Sequence, residues 1–283
     1  MSRFSTEDLK ELAKQVRRDV VRMVHQAGSG HPGGSLGCAD LLVALYFRVM
    51  KHNSRFSLEG EGEDIFYLSN GHISPLWYSV LARSGYFPLS ELKTFRQINS
   101  RLQGHPGTLE GLPGIRVASG SLGQGLSVAI GTAQAKKLKK DPQHVYVLMG
   151  DGEQQEGQIW EAAMYAAHHK VDNLLAIVDY NGQQIDGHVK EVMSLGSLKK
   201  KYEAFGWQVM EVDGNHMGSL LKTLENAKDL MGKKEPVFLL MHTKMGCGVD
   251  FMENNYRWHG IAPNKEQFDR AIAQLPITPH GDY

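Results

Sequence analysis

Two cysteines, Cys38 and Cys247, are all this chain carries. No Cys-x-x-Cys pair exists, so a disulfide framework is excluded and the usage fits a reducing compartment. Neither sign of charge is in excess: 31 Lys and Arg balance 31 Asp and Glu, for a formal net charge of zero. That balance argues against a nucleic-acid or anionic-membrane partner. No window approaches the roughly 18 apolar residues that a membrane-spanning helix needs. The opening MSRFSTEDLKELAK lacks the apolar centre of a secretory signal. Together these absences predict a cytoplasmic protein. Internal repeats, low-complexity segments and flexible linkers are also missing, so the 283 residues are expected to form one domain. A hydrophobic content of 41% supplies enough apolar side chain for a sizeable core.

The most informative stretch runs from His144 to Asp186. Val145 to Met149 and Leu174 to Val178 are short apolar runs bounded by Gly, Asp or Asn, and each reads as a buried strand. Between them Ile159, Ala162, Ala163, Ala166 and Ala167 recur at helical spacing. The pattern is a βαβ unit, whose two parallel strands end side by side. Asp151, in a Gly-Asp-Gly turn after the first strand, and Asn181, just after the second, then meet at the carboxyl edge of one sheet. Ligands of open α/β sheets bind at that edge. A carboxylate, an amide oxygen and a nearby carbonyl suit Mg²⁺ or Ca²⁺, and Mg²⁺ held by so few protein groups shares its shell with phosphates and water. Gly150 and Gly152 permit close approach of a phosphate, and the helix following Glu156 is expected to turn its positive end toward the same place.

Ser5 or Thr6, with Asp8 three residues after Ser5, signals the start of a helix carrying Leu9, Leu12, Val16, Val20, Met23 and Val24. GSGHPGGSLG, residues 28 to 37, is too glycine-rich to be expected as regular structure; an apolar helix from Ala39 to Met50 should follow. Asp64 to Ser69 reads as a strand leading into Asn70-Gly71-His72, with a helix after Pro75. Arg101 to Gly114 is loop-like and repeats Gly-His-Pro-Gly at 104 to 107. ASGSLGQG, residues 118 to 125, is a second glycine turn ahead of a helix to about Leu138. The basic run Lys136 to Lys140 is expected at a solvated helix end. Later segments alternate between helix and strand: a helix over 197–205, a strand over 207–212, a helix over 217–231, a strand over 237–241 and a closing helix over 264–275. His31, His72 and His105 all fall in loops or at strand ends. Imidazole, with an ordinary pKa near 6.5, exchanges protons at neutral pH, so convergence of these rings on one site is expected.

Gly-Asp-Gly followed by Asn181 resembles the thiamine diphosphate motif, with Gly182 where that pattern usually has a second Asn. GSGHPGG, ASGSLGQG and Trp258-His259-Gly260 resemble successive segments of transketolases, and the resemblance runs in order through almost the whole chain. It implies an α/β fold, a doubly wound, mostly parallel sheet with helices on both faces. It implies thiamine diphosphate held with Mg²⁺ (Ca²⁺ or Mn²⁺ as substitutes) by Asp151, Asn181 and the main-chain oxygen of Gln183. It further implies that His72, Gly120, Ser121, Leu122, Gly152, Asn181, Ile185 and His259 contact the cofactor, with Ile185 packed on the thiazolium. His31 and His259 would exchange a proton with the donor's C3 hydroxyl, His105 would contact its C1 hydroxyl, and Glu156 would join a carboxylate relay between paired active sites. The reaction implied moves a two-carbon ketol unit from a ketose phosphate to an aldose phosphate, as in the pentose phosphate pathway.

In that family a second domain supplies the glutamate that protonates the aminopyrimidine, together with basic residues for the substrate phosphate. Only residues 261–283 follow the Trp-His-Gly segment. The expectation is therefore one subunit of a split transketolase, completed by a separate chain bearing the pyrimidine domain in a two-plus-two (α2β2) heterotetramer. Competing readings are a two-chain transketolase for an unusual ketose, a deoxyxylulose-phosphate synthase-like enzyme, and a non-catalytic cofactor-binding scaffold.

Overall fold

The computed structural model describes residues 4–283. The chain opens with α1 (Thr6–Ala27), whose N-terminus is closed by a reciprocal pair: the Ser5 hydroxyl accepts from the Asp8 amide, and the Asp8 carboxylate accepts from the Ser5 amide. Gly28, at φ 60°, ends the helix in the left-handed region. The predicted stripe of Leu9 to Val24 is buried along α1's inner face. Two short helices follow, α2 (Pro32–Gly37) and α3 (Ala39–Ala44), and then a π-helical turn over Leu45–Val49. Here two expectations fail. The glycine-rich 28–37 segment is not irregular throughout, because Pro32 starts a helix whose glycines face close neighbours. A Cβ on Gly33 would lie 2.6 Å from Met245 Cγ and 2.8 Å from the Trp258 carbonyl. The apolar helix expected to run unbroken to Met50 instead widens into the π turn, closed by the Met50 amide donating to the Leu45 carbonyl at 2.8 Å.

Next come β1 (Ile65–Leu68), α4 (Ser74–Arg83), α5 (Gly125–Leu138), β2 (Val145–Gly150), α6 (Gly157–His168) and β3 (Leu174–Tyr180). A small hairpin, β4 (Gln183–Gln184) with β5 (Gly187–His188), precedes α7 (Val189–Met193) and α8 (Leu198–Ala204). The chain closes with β6 (Gln208–Asp213), α9 (Met217–Leu230), β7 (Val237–His242) and α10 (Lys265–Gln274). Five parallel strands form the main sheet in the order β1-β2-β3-β7-β6.

Alternation along these strands builds two cores. Phe66, Leu68, Tyr146, Leu148, Leu175 and Ile177 face α1, α3, α4 and α9. Ile65, Tyr67, Val145, Val147, Leu174 and Ala176 face α5, α6 and α8. With both faces covered, the central strands are apolar at nearly every position. This is the doubly wound α/β sheet expected from the sequence.

One surface expectation is corrected. Lys136 is not solvated but 4% exposed. Its ammonium donates to the carbonyls of Gly60 (3.0 Å) and Glu63 (2.9 Å) and to Asp141 (2.8 Å). The last turn of α5 is thereby tied to the loop ahead of β1. Lys139 and Lys140 behave as expected of a helix end and stay exposed.

Candidate functional site

β2 and β3 pair in parallel through to Gly150 opposite Asp179, so the turns that follow them are neighbours. The Asp151 carboxylate is 2% exposed and spans both turns, accepting from the Gly152 amide (2.7 Å) and the Gly182 amide (2.6 Å). Gly182 stands at φ +73°, where a glycine is at ease and an L side chain is strained. The Asn181 amide nitrogen donates to Asp179 (2.8 Å), and its oxygen accepts from the Gln183 amide (2.9 Å). Asp151, Asn181 and Gln183 therefore share one corner of the sheet edge.

That corner opens into a cavity of about 310 Å³. Its walls include His31, His72, His105 and His259, brought in from four separate segments. Ring centroids lie 5.1 Å apart for His31–His72, 6.3 Å for His31–His105, 5.6 Å for His31–His259 and 4.9 Å for His72–His259. His31 sits at the start of α2, and His72 lies in a 3-10 turn after β1. The 243–260 segment carries His259 against α2, fixed by the Gly246 amide bonded to the Gly33 carbonyl at 2.9 Å. His105 packs closely over Gly120: a Cβ there would lie 3.2 Å from the imidazole.

The electrostatics are those of a cleft whose ionisable walls are largely withdrawn from solvent. Burial, then the neighbouring His259, Arg96 and His105, pushes His31 down to about 4. Burial also lowers His72, His105 and His259. All four imidazoles are thus neutral at pH 7 and available to accept a proton. Asp151 moves the other way. Burial and the nearby Asp179 carboxylate push it up to about 8, against the two amide bonds that favour the ionised form. Asp179, fully buried behind Asn181, is also raised by burial.

These features fit a divalent cation and a polar, extended ligand. A cation beside Asp151 offsets the repulsion from Asp179. Among the described residues no three His, Cys, Asp or Glu side chains form a metal cage of their own. One carboxylate, one amide oxygen and one carbonyl remain, the donor set of a cation that completes its shell with phosphate and water. Buried polar atoms on the walls lack partners: His31 Nδ1, His259 Nδ1 and Asn70 Oδ1. A ligand with hydrogen-bonding groups along its length would satisfy them.

Most residues named from sequence converge here: Asp151, Asn181, Gln183, the four histidines, Gly120, Leu122, Gly152, Ile185 and Glu156 all line the cavity. Ile185 is 60% exposed at the mouth, an apolar side chain with nothing yet packed on it. Ser121 is not among the lining residues and faces solvent, because its turn presents Gly120 and Leu122 to the cavity instead. A 3-10 turn over Gly152–Gln155 follows Asp151, and α6 begins at Gly157, directly after Glu156, its N-cap residue, which lines the cavity. The lining groups that the sequence reading did not assign to the site include Glu153, Asp179 and Asn70. Asp179 left a signal, a carboxylate breaking an apolar strand two residues ahead of Asn181.

Comparison with known proteins accords with this geometry. The family model described as transketolase, thiamine diphosphate binding domain, matches residues 9–283. The chain is 41% identical over 272 residues to an apulose-4-phosphate transketolase subunit from Phocaeicola vulgatus, covering 96% of this chain and 95% of that one. It is 39% identical to a 6-deoxy-6-sulfo-D-fructose transketolase subunit from a Clostridium species, covering 95% and 96%. A crystal structure of transketolase from Campylobacter jejuni superposes with a TM-score of 0.88 at 35% identity, covering 94% of this chain and 42% of that chain. The chain therefore spans less than half the length of that solved relative.

Proposed function

This chain belongs to the transketolase family through its thiamine diphosphate-binding domain, and from that premise we propose that it is the cofactor-holding subunit of a two-chain transketolase. The observation that carries this reading is the meeting of Asp151, Asn181 and Gln183 at adjacent strand ends, under a ring of four neutral histidines. Asp151, Asn181 and the Gln183 carbonyl would hold Mg²⁺, with Ca²⁺ or Mn²⁺ able to substitute. Bound there, thiamine diphosphate supplies the electron sink for cleaving a ketose and passing on its two-carbon unit. His31 and His259 accept and return the proton of the donor's C3 hydroxyl, and His105 orients the C1 hydroxyl. Their neutrality at pH 7, caused by burial, equips them as bases. Ile185 offers an apolar surface for the cofactor's ring. Glu156, exposed at the cavity rim, is placed to join a relay toward a second active site.

We infer a partner chain carrying the pyrimidine-binding domain, in a two-plus-two assembly, acting on sugar phosphates in the cytoplasm. Relatives named as subunits match this chain over nearly their full length, which supports the division into two chains. Purified chain mixed with such a partner should transfer a ketol unit between sugars, and neither chain should do so alone. Full activity of this chain by itself refutes the two-chain reading.

A second reading concerns the donor. Identity is 41% and 39% to subunits named for apulose-4-phosphate and 6-deoxy-6-sulfo-D-fructose, against 36% for human transketolase. That ordering favours a specialised ketose bearing a terminal anion. A donor panel comparing branched, sulfonated and ordinary ketose phosphates separates the cases by their kcat/KM values.

A further inference from the structure

Glu153 is 2% exposed, and its carboxylate takes part in none of the roles assigned above. Three donors from three different segments converge on it. Oε1 accepts from the Ser69 hydroxyl and from the Gly123 amide (2.8 Å), and Oε2 accepts from the Gly150 amide (2.9 Å). Ser69 in turn accepts from the Gly125 amide at 3.1 Å. One side chain thus joins the end of β1, the 118–125 glycine turn and the end of β2. Each of these segments carries groups facing the cavity: Asn70 and His72, Gly120 and Leu122, Asp151 and Gly152.

The fit is specific to an acceptor. All three partners donate, so a carboxylate satisfies each and an amide of the same shape does not. The glycine turn also needs this anchor because it has few alternatives. Gly120 (φ +151°) and Gly123 (φ +86°) both hold positive φ angles that favour glycine, and glycine loses more freedom on ordering than any other residue. The turn sits hard against β1, since a Cβ on Gly125 would come 2.3 Å from the Ser69 hydroxyl oxygen. Without a fixed acceptor at Glu153, two buried amides lose their partner and the turn is free to withdraw from the cavity.

We propose that Glu153 is a positioning residue that holds the three walls of the cofactor cavity in register before the cofactor arrives. It acts through Ser69, Gly123 and Gly150, without touching the reacting atoms. The inference rests on reading the cavity as a thiamine diphosphate site.

The test is E153Q, which keeps volume and shape but sets an NH₂ group against an N–H or O–H donor. Affinity for thiamine diphosphate with Mg²⁺ is measured on the full chain by tryptophan fluorescence, at a temperature where both proteins are folded. Loss of one hydrogen bond of this kind lets the turns withdraw in most molecules before the cofactor binds, and the fall in the competent fraction predicts binding weaker by about tenfold. Affinity within twofold of wild type overturns the proposal, because a merely structural role lowers the unfolding temperature without moving the affinity of the folded protein. If E153Q does not fold, Ser69→Ala replaces it; that variant removes one donor to Glu153 and the acceptor of the Gly125 amide but leaves the Gly123 and Gly150 bonds, so it should weaken binding by a smaller factor, and unchanged affinity refutes the proposal. Amide hydrogen exchange at Gly123 and Gly150, read without cofactor, is an independent arm. Exchange there should be faster in E153Q, and equal rates overturn the clamp. If wild type itself binds no thiamine diphosphate, the functional reading fails while the exchange arm still decides whether Glu153 holds the turns.

Discussion

Replacing Asp151 by Asn should separate fold stability from cofactor binding, in opposite directions. In the folded chain without cation, burial and Asp179 raise the Asp151 carboxyl from 3.8 to about 8. A carboxyl raised on folding costs stability that is absent below pH 3.8 and grows as pH rises toward 8. At pH 7 the cost is roughly 4 kcal/mol, at 1.36 kcal/mol per pH unit. Asparagine removes it. Against this gain, the Asn NH₂ group faces one of the two amides, Gly152 or Gly182, that the carboxylate now satisfies. With its carboxyl raised to about 8, folded Asp151 is mostly protonated at pH 7, so the bond lost is a neutral one worth about 0.5–1.5 kcal/mol. The variant without ligand should therefore be about 2–4 kcal/mol more stable than wild type, a rise of several degrees in Tm. Adding Mg²⁺ and thiamine diphosphate narrows that gap. At a hundred times Kd, wild type gains about 2.7 kcal/mol, or roughly 5–10 °C, while the variant, lacking the anionic ligand, gains almost nothing. Thermal unfolding followed by circular dichroism, with and without both ligands, reads both effects. An equal ligand-induced rise in the two proteins refutes the assignment of Asp151 to the cation.

Three further outcomes follow from the geometry. His31 is held down at about 4, so the unfolded chain binds more protons below its ordinary 6.5 and the folded state loses stability as pH falls; relative to His31→Gln, wild type should lose roughly 1–2 kcal/mol between pH 7 and 5 in urea titrations, and parallel profiles would contradict this. Gly33→Ala forces a methyl group to within 2.6 Å of Met245 and 2.8 Å of the Trp258 carbonyl. It should cost about 1–3 kcal/mol by the same measurement and shift the His259 imidazole resonances. Lys136→Met strips the side-chain donor from two buried carbonyls and the cation from Asp141, which keeps only the Gly62 and Gln143 amides; about 3 kcal/mol of destabilisation is expected, and a change below about 0.5 kcal/mol, the scale of ordinary surface substitutions, would mean that the ammonium is effectively solvated.

What was legible in advance divides along physical lines. Strands with both faces covered leave near-continuous apolar runs, so β2, β3 and β7 could be located within a residue or two. The adjacency of Asp151 and Asn181 followed from parallel pairing alone. Ser5 with Asp8 marked the start of α1, since the capping pair is local in sequence. Other features depend on contacts between distant segments. The helix at Pro32–Gly37 forms where its glycines let Met245 and Trp258 approach, and neither neighbour can be inferred from residues 28–37. Lys136 has the same cause: the carbonyls that bury it belong to Gly60 and Glu63, far away in sequence. Glu153 carries no signal in the sequence, because its three donors come from segments placed by tertiary packing. Ser121 lies outside the cavity lining, since membership of a glycine turn does not say which residues of that turn face inward.

The account stands most directly on where the metal sits. Crystals grown with Mn²⁺ and thiamine diphosphate, measured for anomalous scattering, should show one strong peak bounded by the Asp151 carboxylate, the Asn181 amide oxygen and the Gln183 carbonyl, with the diphosphate completing its shell. A peak elsewhere, or a cofactor bound with no metal at that corner, would contradict the assignment of the site and of the reaction built upon it.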